Sequence, residues 1–187
     1  MRVIGRSLLL FVFIIAAFFE LGARQQPKKQ KQAANRQEGT TTIFLVRHAE
    51  KETTDPADKD PDLTAAGIQR AQDLNQYLQH TPVDAFFSTP YKRTQRTLMY
   101  LAKDRPLQFY DAHDFEGLRA RVLANFTGKT VVIVGHSNTL LPIINAFGAR
   151  SPLQQIGEDQ YDTVFKLQIS RRGKATVQAL RFGAAST

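Results

Sequence analysis

Two histidines in this sequence follow apolar runs, and one of them has an arginine beside it. Arg47 and His48 come directly after IFLV at residues 43–46, and His136 follows TVVIVG at residues 130–135. At each point the chain changes from apolar to polar within a residue or two. Packing alone does not explain a cation beside an imidazole at the end of a buried strand. These residue types predict a polar site where two strands end.

Two more residues extend this set. Arg93 lies in the first turns of a predicted helix after VDAFFS, and Asp111 ends the stretch LQFY. Two guanidiniums beside a helix N-terminus make a site for a dianionic phosphoryl group. A neutral imidazole among them can attack phosphorus, and a carboxylic acid can protonate the departing oxygen. The residues together indicate phosphoryl chemistry.

Alternating strands and helices must position these residues. The apolar runs predict strands at residues 43–46, 83–88, 107–111 and 130–135, each followed by a helix. This order predicts an α/β fold, a three-layer αβα sandwich with a mainly parallel sheet and a C-terminal antiparallel hairpin at residues 163–182. Ligands in such folds bind at the carboxyl ends of the strands, which is where the polar residues lie.

Two of the helices have recognisable start signals. Thr64 is predicted to cap the first helix, which has an apolar face containing Leu74 and Leu78. Thr89 is predicted to cap the second, with Pro90 at the first helical position, where a missing N–H costs nothing.

Each candidate residue also has an ordinary structural explanation. Arg47 could pair with Glu50 or with a loop acid, and a lone His136 would more often be a hydrogen-bonded histidine at a strand end. Arg93 alone could be a solvated helix residue, and nothing in the sequence assigns a role to His113. The functional interpretation depends on all these groups lying at one edge of the sheet. Unrelated structural roles would not be expected to bring them together there.

Other chemistries fit the sequence less well. GHSNT is close to the nucleophile elbow G-x-S-x-G, but Thr139 replaces the last glycine and no histidine follows Ser137. The H-x-E form of residues 48–50 would need a P-C-x-x-C partner in a zinc deaminase, and the chain has no cysteine. The lack of cysteine also removes thiolate ligands and cysteine nucleophiles. We therefore predict no metal site and no cofactor.

The net charge of +8 lies mostly near the N-terminus. Residues 1–36 hold seven basic residues and one acidic residue, whereas the rest of the chain holds 18 basic and 16 acidic residues. A nearly neutral body does not favour nucleic acid as a partner.

The N-terminal segment itself has the features of an export signal. Arg2 and Arg6 precede an apolar run at residues 8–19, which is shorter than the roughly 20 residues of a membrane-spanning helix. If the segment is retained instead, residues 8–21 would anchor the protein to the inner membrane. The predicted organisation is a signal peptide or N-terminal anchor at residues 1–23, a basic polar linker at 24–39 and a folded domain at 40–187.

Three blocks of the sequence resemble the histidine phosphatase superfamily, which includes phosphoglycerate mutases, acid phosphatases and small phosphohistidine phosphatases. The blocks are LVRHAEK, STPYKRTQRT and VVIVGHSNT, in the expected order and at the expected strand or helix ends. This resemblance implies that His48 is the nucleophile that becomes phosphorylated. It also implies that Arg47 and Arg93 bind the phosphoryl oxygens and that His136 stabilises the transition state.

Members of this family place the general acid variably. Asp111 is our prediction for it, with Asp114 and Glu116 as the alternatives. No insertion is long enough to form a capping subdomain, so the chain resembles the compact phosphohistidine-phosphatase-like members more than the mutases.

The predicted function is that of a phosphomonoesterase that acts through a phosphohistidine intermediate on His48. Its substrate is expected to be a phosphorylated small molecule or a phosphorylated component of the cell envelope. The predicted location is periplasmic or otherwise extracytoplasmic, with membrane contact only through the N-terminal segment. Two alternatives are a non-catalytic phosphoryl-binding protein of the envelope and a phosphomutase. Binding alone needs the arginines but no nucleophile, and an open site retains a mutase intermediate poorly.

Overall fold

A six-stranded sheet runs through residues 39–186, the part of the chain that the computed structural model describes. The strands lie in the order β3-β2-β4-β1-β5-β6. The first four in chain order are mutually parallel, and β5 pairs antiparallel with both β1 and β6. Their bounds are β1 Thr41–Arg47, β2 Ala85–Ser88, β3 Leu107–Phe109, β4 Thr130–Gly135, β5 Thr163–Ile169 and β6 Ala175–Arg181.

Five helices cover the two faces of this sheet. Their bounds are α1 Ala65–Leu78, α2 Lys92–Thr97, α3 Met99–Ala102, α4 Phe115–Phe126 and α5 Leu140–Ala146. Alternation along β1 separates two cores, because neighbouring side chains on a strand point to opposite faces. Ile43 and Leu45 pack with α4 and α5, whereas Phe44 and Val46 pack with α1 and α3. The predicted three-layer sandwich with a C-terminal antiparallel hairpin is thus confirmed.

The first helix starts as predicted, and the second does not. Thr64 caps α1, its side chain accepting from the Gly67 N–H at 3.0 Å. Thr89 is not a helix cap and Pro90 is not the first helical residue, because α2 begins at Lys92 after an N-cap residue whose side chain makes no capping bond. The Thr89 hydroxyl is instead directed to side chains in the core.

The N-terminal predictions fall on residues that the structure does not describe. The signal peptide or anchor at residues 1–23 and the linker at 24–39, apart from its last residue, lie outside the described range. Within residues 39–186, no helix has the length and apolar character needed to cross a membrane.

Candidate active site

Two neighbouring strands deliver the two histidines to the same edge of the sheet. Arg47 is paired with Gly135 at the ends of β1 and β4, and the His48 N–H donates to the Gly135 carbonyl at 2.9 Å. His136 follows Gly135 directly, so both imidazoles leave the sheet at one level. Their ring centroids lie 5.4 Å apart at an interplanar angle of 64°.

A side chain at Gly135 would fit only if neighbouring side chains moved by a few tenths of an ångström. A Cβ atom there would lie 3.0 Å from the Tyr110 hydroxyl oxygen and 3.1 Å from Thr139 Oγ1. Thr139 Oγ1 accepts the His136 backbone N–H at 3.0 Å, so the close approach belongs to the turn that presents His136.

His48 is held as a neutral imidazole with one free nitrogen. The side chain is only 4 % exposed, and its Nδ1 lies 2.8 Å from the Ala49 carbonyl oxygen. Because a carbonyl can only accept, Nδ1 carries the proton and the Nε2 lone pair is left for a ligand. Burial, joined by the nearby charges of His136 and the arginines, lowers the pKa of His48 to about 3. At neutral pH the ring is therefore uncharged.

His136 is fixed through its Nε2. That atom lies 3.1 Å from Thr89 Oγ1, which is fully buried and lies 2.9 Å from Thr94 Oγ1. Thr94 Oγ1 also lies 2.8 Å from the Tyr91 carbonyl oxygen and 3.0 Å from the Thr89 carbonyl oxygen. Burial, together with the charges of Arg93 and His113, lowers the pKa of His136 to about 4. Sequence reasoning missed the role of Thr89, although it belongs to the block STPYKRTQRT.

Arg47 is held by an irregular segment that the sequence did not single out. Its Nη1 donates to the carbonyl oxygens of Gly157 at 2.9 Å and Glu158 at 2.6 Å. The guanidinium carbon lies 4.1 Å from the centre of the Tyr161 ring. The Glu50 carboxylate is bound by another cation, so that pair is not formed. The alternative partner, a loop acid, is present, because Glu158 Oε2 lies 3.8 Å from Arg47 Nη2.

Arg93 approaches the same site from α2. Its guanidinium carbon lies 4.3 Å from the centre of the Tyr91 ring, and that ring meets His136 edge-on at 5.5 Å. Asp60 Oδ1 is 3.8 Å from Arg93 Nη1 and also accepts the Lys92 backbone N–H at 2.8 Å. A long loop and a helix start thus position this cation.

These side chains line one cavity of about 290 Å³. Its charged and titratable lining residues are Arg47, His48, Lys51, Tyr91, Arg93, His113, His136 and Glu158. Cations outnumber carboxylates in this lining, so the cavity favours a small anion. The predicted nucleophile, both predicted arginines and the second histidine are all brought together here.

The structure does not bring Asp111 into this cavity. Its exposed carboxylate accepts the His113 backbone N–H at 2.8 Å and lines an adjoining groove instead. Asp114 caps α4 by accepting from the Gly117 N–H, and Glu116 lies 3.8 Å from an arginine on the same helix. Among the predicted or alternative acids, none lines this cavity, whereas His113 does.

Metal ligation has no candidate in the described part of the chain. Residues 39–186 contain no group of three or more His, Cys, Asp or Glu side chains arranged to hold a metal ion.

Comparison with known proteins agrees with this geometry. A family model described as "Histidine phosphatase superfamily (branch 1)" matches residues 43–132, a stretch that contains Arg47, His48 and Arg93. No curated protein sequence is similar enough to match.

Several solved structures share the fold. A protein histidine phosphatase SixA complexed with tungstate has a TM-score of 0.61 at 14 % identity, covering 75 % of this chain and 96 % of that one. The alpha-ribazole phosphatase from Shigella flexneri has a TM-score of 0.57 at 18 % identity, covering 78 % and 98 %. A phosphoglycerate mutase from Bacillus anthracis has a TM-score of 0.56 at 14 % identity, covering 78 % and 94 %. At these identities the likeness concerns the fold alone. Together with the three sequence blocks, the match of the family model to residues 43–132 supports the prediction of a histidine phosphatase superfamily fold and site.

Proposed function

We propose that the protein is a phosphomonoesterase that forms a phosphohistidine intermediate on His48. The observation that carries this proposal is the state of His48, a neutral imidazole with Nε2 free at the wall of a cationic cavity. A low pKa keeps the nitrogen unprotonated, and the adjacent cations attract the dianion that it would attack.

The first step transfers the phosphoryl group to the enzyme. Arg47 and Arg93 hold the phosphoryl oxygens while the His48 Nε2 lone pair attacks phosphorus. The N–P bond forms as the bond from phosphorus to the ester oxygen breaks. His136, in the tautomer that carries its proton on Nδ1 and accepts the Thr89 hydroxyl proton at Nε2, donates to an equatorial oxygen. A proton from His113 neutralises the leaving oxygen.

The second step releases the phosphoryl group to water. A water molecule attacks phosphorus on the face opposite Nε2, and the N–P bond breaks and returns the lone pair to His48. The proton of that water passes to His113, which restores its starting state. Inorganic phosphate then leaves the cavity.

Hydrolysis is favoured over the alternatives by the openness of the site and by the histidine pair. A mutase must retain and reorient its intermediate, and residues 39–186 hold no inserted subdomain that would cover the cavity. A protein that only bound phosphate would need the arginines, but not an imidazole with its lone pair directed at the anion.

Trapping of the phosphoenzyme tests this function. The full chain is mixed with a ³²P-labelled phosphate ester and quenched in alkali, in which phosphohistidine survives. The parent and a His80→Gln control, which changes an exposed histidine, should retain label, and His48→Gln should retain none. Label that persists in His48→Gln would contradict the mechanism. Phosphate binding without label or turnover would favour the non-catalytic alternative.

We further propose that the enzyme acts outside the cytoplasm on a phosphorylated small molecule or envelope component. The support is compositional, namely two arginines followed by an apolar run and a basic polar linker within residues 1–39. Fractionation of the cells that produce the full chain, followed by immunoblotting, should place it in the periplasm or the membrane. Recovery of uncleaved chain from the soluble cytosol would overturn this location.

A further inference from the structure

A second cavity, of about 530 Å³, opens beside the catalytic cavity. The two share three lining residues, Tyr91, Ala112 and His113. A substrate whose phosphoryl group lies between the arginines can therefore extend past these residues without leaving the protein surface.

The wall of this second cavity is aromatic and exposed. Phe109 on β3 is 50 % exposed and Tyr91 is 37 % exposed. Within residues 39–186 only two other large hydrophobic side chains, Tyr77 and Met99, are exposed to a similar degree, and neither lines this cavity. Single exposed apolar residues are ordinary, but two aromatic rings beside a catalytic cavity indicate a binding surface.

The charges of the two cavities differ in sign. Asp111 is the only acidic residue of the second cavity in the described chain, and no lysine or arginine lines it. The catalytic cavity next to it contains three cations. This arrangement suits a substrate with a dianion at one end and a neutral or cationic apolar group at the other.

A third cavity nearby lacks these properties. It has a volume of about 510 Å³ and shares only His113 with the catalytic cavity. Its lining includes the carboxylates of Asp114 and Glu116, which would repel a phosphate ester. The aromatic cavity is therefore the better continuation of the site.

We propose that the cavity walled by Tyr91 and Phe109 binds the leaving group of the substrate, and that this leaving group carries a planar aromatic or heteroaromatic ring. The proposal rests on the proposed phosphoesterase function. The ring stacks on the exposed Phe109 and Tyr91 side chains, and the ester oxygen faces His113 at the junction of the two cavities. Esters of long aliphatic alcohols and polyanionic substrates are disfavoured.

Binding of non-hydrolysable phosphonates tests the cavity without any need for turnover. The full chain is titrated calorimetrically with inorganic phosphate, ethylphosphonate, 2-phenylethylphosphonate and 2-cyclohexylethylphosphonate. The phenyl and cyclohexyl compounds contain the same number of carbon atoms. Burial of apolar surface alone would therefore not make the phenyl compound bind more tightly. Ring stacking should make the phenyl compound bind about three- to tenfold more tightly than its cyclohexyl analogue.

Variants then assign that preference to the cavity. Phe109→Leu keeps an apolar residue on the edge strand but removes the ring, and it should bring the ratio of the two affinities close to one. Phe109→Tyr, which restores a ring, should restore the ratio. Tyr77→Leu is the matched control, since it replaces an exposed aromatic residue outside the cavity, and it should keep the parental ratio. Thermal melts establish that each variant is folded.

The outcomes separate this proposal from the proposed function. Tight phosphate binding with no phenyl preference in the parent would overturn the aromatic subsite and leave the phosphoryl site intact. A preference that survives Phe109→Leu while that variant is folded would do the same. Failure of inorganic phosphate and of all three phosphonates to bind would overturn the phosphoryl site itself, and both proposals with it.

Discussion

Arg47 is stacked on Tyr161, with its guanidinium carbon 4.1 Å from the ring centre and the Tyr161 hydroxyl 3.4 Å from Nη2. The same ring lies 6.2 Å from that of His48. One aromatic side chain on the segment before β5 thus packs against both His48, the proposed nucleophile, and the cation proposed to hold the phosphoryl group. The planar guanidinium of Arg47 is therefore already oriented in the absence of substrate.

The Tyr161 ring is expected to matter more than its hydroxyl. Tyr161→Ala removes the stacking surface, and a cation–π contact of this kind corresponds to about a three- to thirtyfold rise in KM. Tyr161→Phe keeps the ring and should raise KM by less than about threefold. Steady-state kinetics with p-nitrophenyl phosphate measures both variants. Equal effects of the two substitutions would show that the hydroxyl, rather than the stacking, positions Arg47.

The stability of the protein should fall in mild acid because of His48. Its pKa of about 3 in the folded protein lies below the ordinary value of 6.5, so between these values the unfolded chain binds more protons. The contribution of His48 to the free energy of unfolding is therefore fully present above about pH 6.5. It is lost as the pH falls toward 3, because protonation then favours the unfolded chain. From pH 7 to pH 5 this histidine alone should lower the free energy of unfolding by about 2 kcal/mol.

Urea unfolding of the full chain at pH 7, 6 and 5 measures that loss. His48→Gln removes one contributor and should show a smaller loss between pH 7 and pH 5 than the parent. His80→Gln, which changes an exposed histidine, should retain the parental loss. Identical pH dependence in His48→Gln and the parent would contradict the assignment of a lowered pKa to His48.

Protonation of the leaving group distinguishes His113 from Asp111. Expulsion of an alkoxide needs a proton in the transition state, whereas nitrophenolate leaves readily without one. His113→Gln should slow hydrolysis of 2-phenylethyl phosphate by about 10²-fold or more and that of p-nitrophenyl phosphate only mildly. Added imidazole should restore part of the lost rate.

Asp111→Asn is the matched comparison, because an amide oxygen can still accept the His113 backbone N–H. We expect Asp111→Asn to change the rates of hydrolysis of both esters by the same factor and to leave each rate within a few-fold of the parent. A loss confined to the alkyl ester in Asp111→Asn, with His113→Gln unaffected, would show that the sequence prediction of Asp111 was right.

Chelators should leave the activity unchanged. In the proposed mechanism the charge on the phosphoryl oxygens is met by Arg47, Arg93 and His136, so no divalent ion is required. Hydrolysis of p-nitrophenyl phosphate is measured before and after treatment with EDTA, and again after addition of Mg²⁺ or Zn²⁺. Activity that disappears with EDTA and returns with one of these ions would reveal a metal requirement.

The parts of the fold that were predictable are those with local causes. Apolar runs marked the strands, and the Thr64 hydroxyl marked the start of α1, because each signal acts within a few residues. Thr89 has the same residue type before a helix, yet its hydroxyl lies beside His136, which is 47 residues away in the sequence. At Thr89 the contact with His136 took the place of the helix cap that threonine would otherwise form.

The candidate site divides in the same way. His48 and His136 could be placed from the sequence because strand ends of a parallel sheet meet at one edge. The contacts from Arg47 to the carbonyls of Gly157 and Glu158 could not, since they span 110 and 111 residues and use backbone atoms that every residue carries. The cavity that Asp111 lines could not be predicted either, because sequence position does not reveal which cavity a loop residue faces.

The hydrogen bond from the His48 N–H to the Gly135 carbonyl has an evolutionary consequence. It continues the β1–β4 ladder past Arg47, so the spacing of the two imidazoles is a property of the sheet. The walls of the proposed leaving-group cavity and the support of Arg47 belong to β3, loops and segments outside those two strands. Mutations there can change which esters are accepted without separating the reactive pair. Such a division lets substrate preference drift while the chemistry is inherited intact.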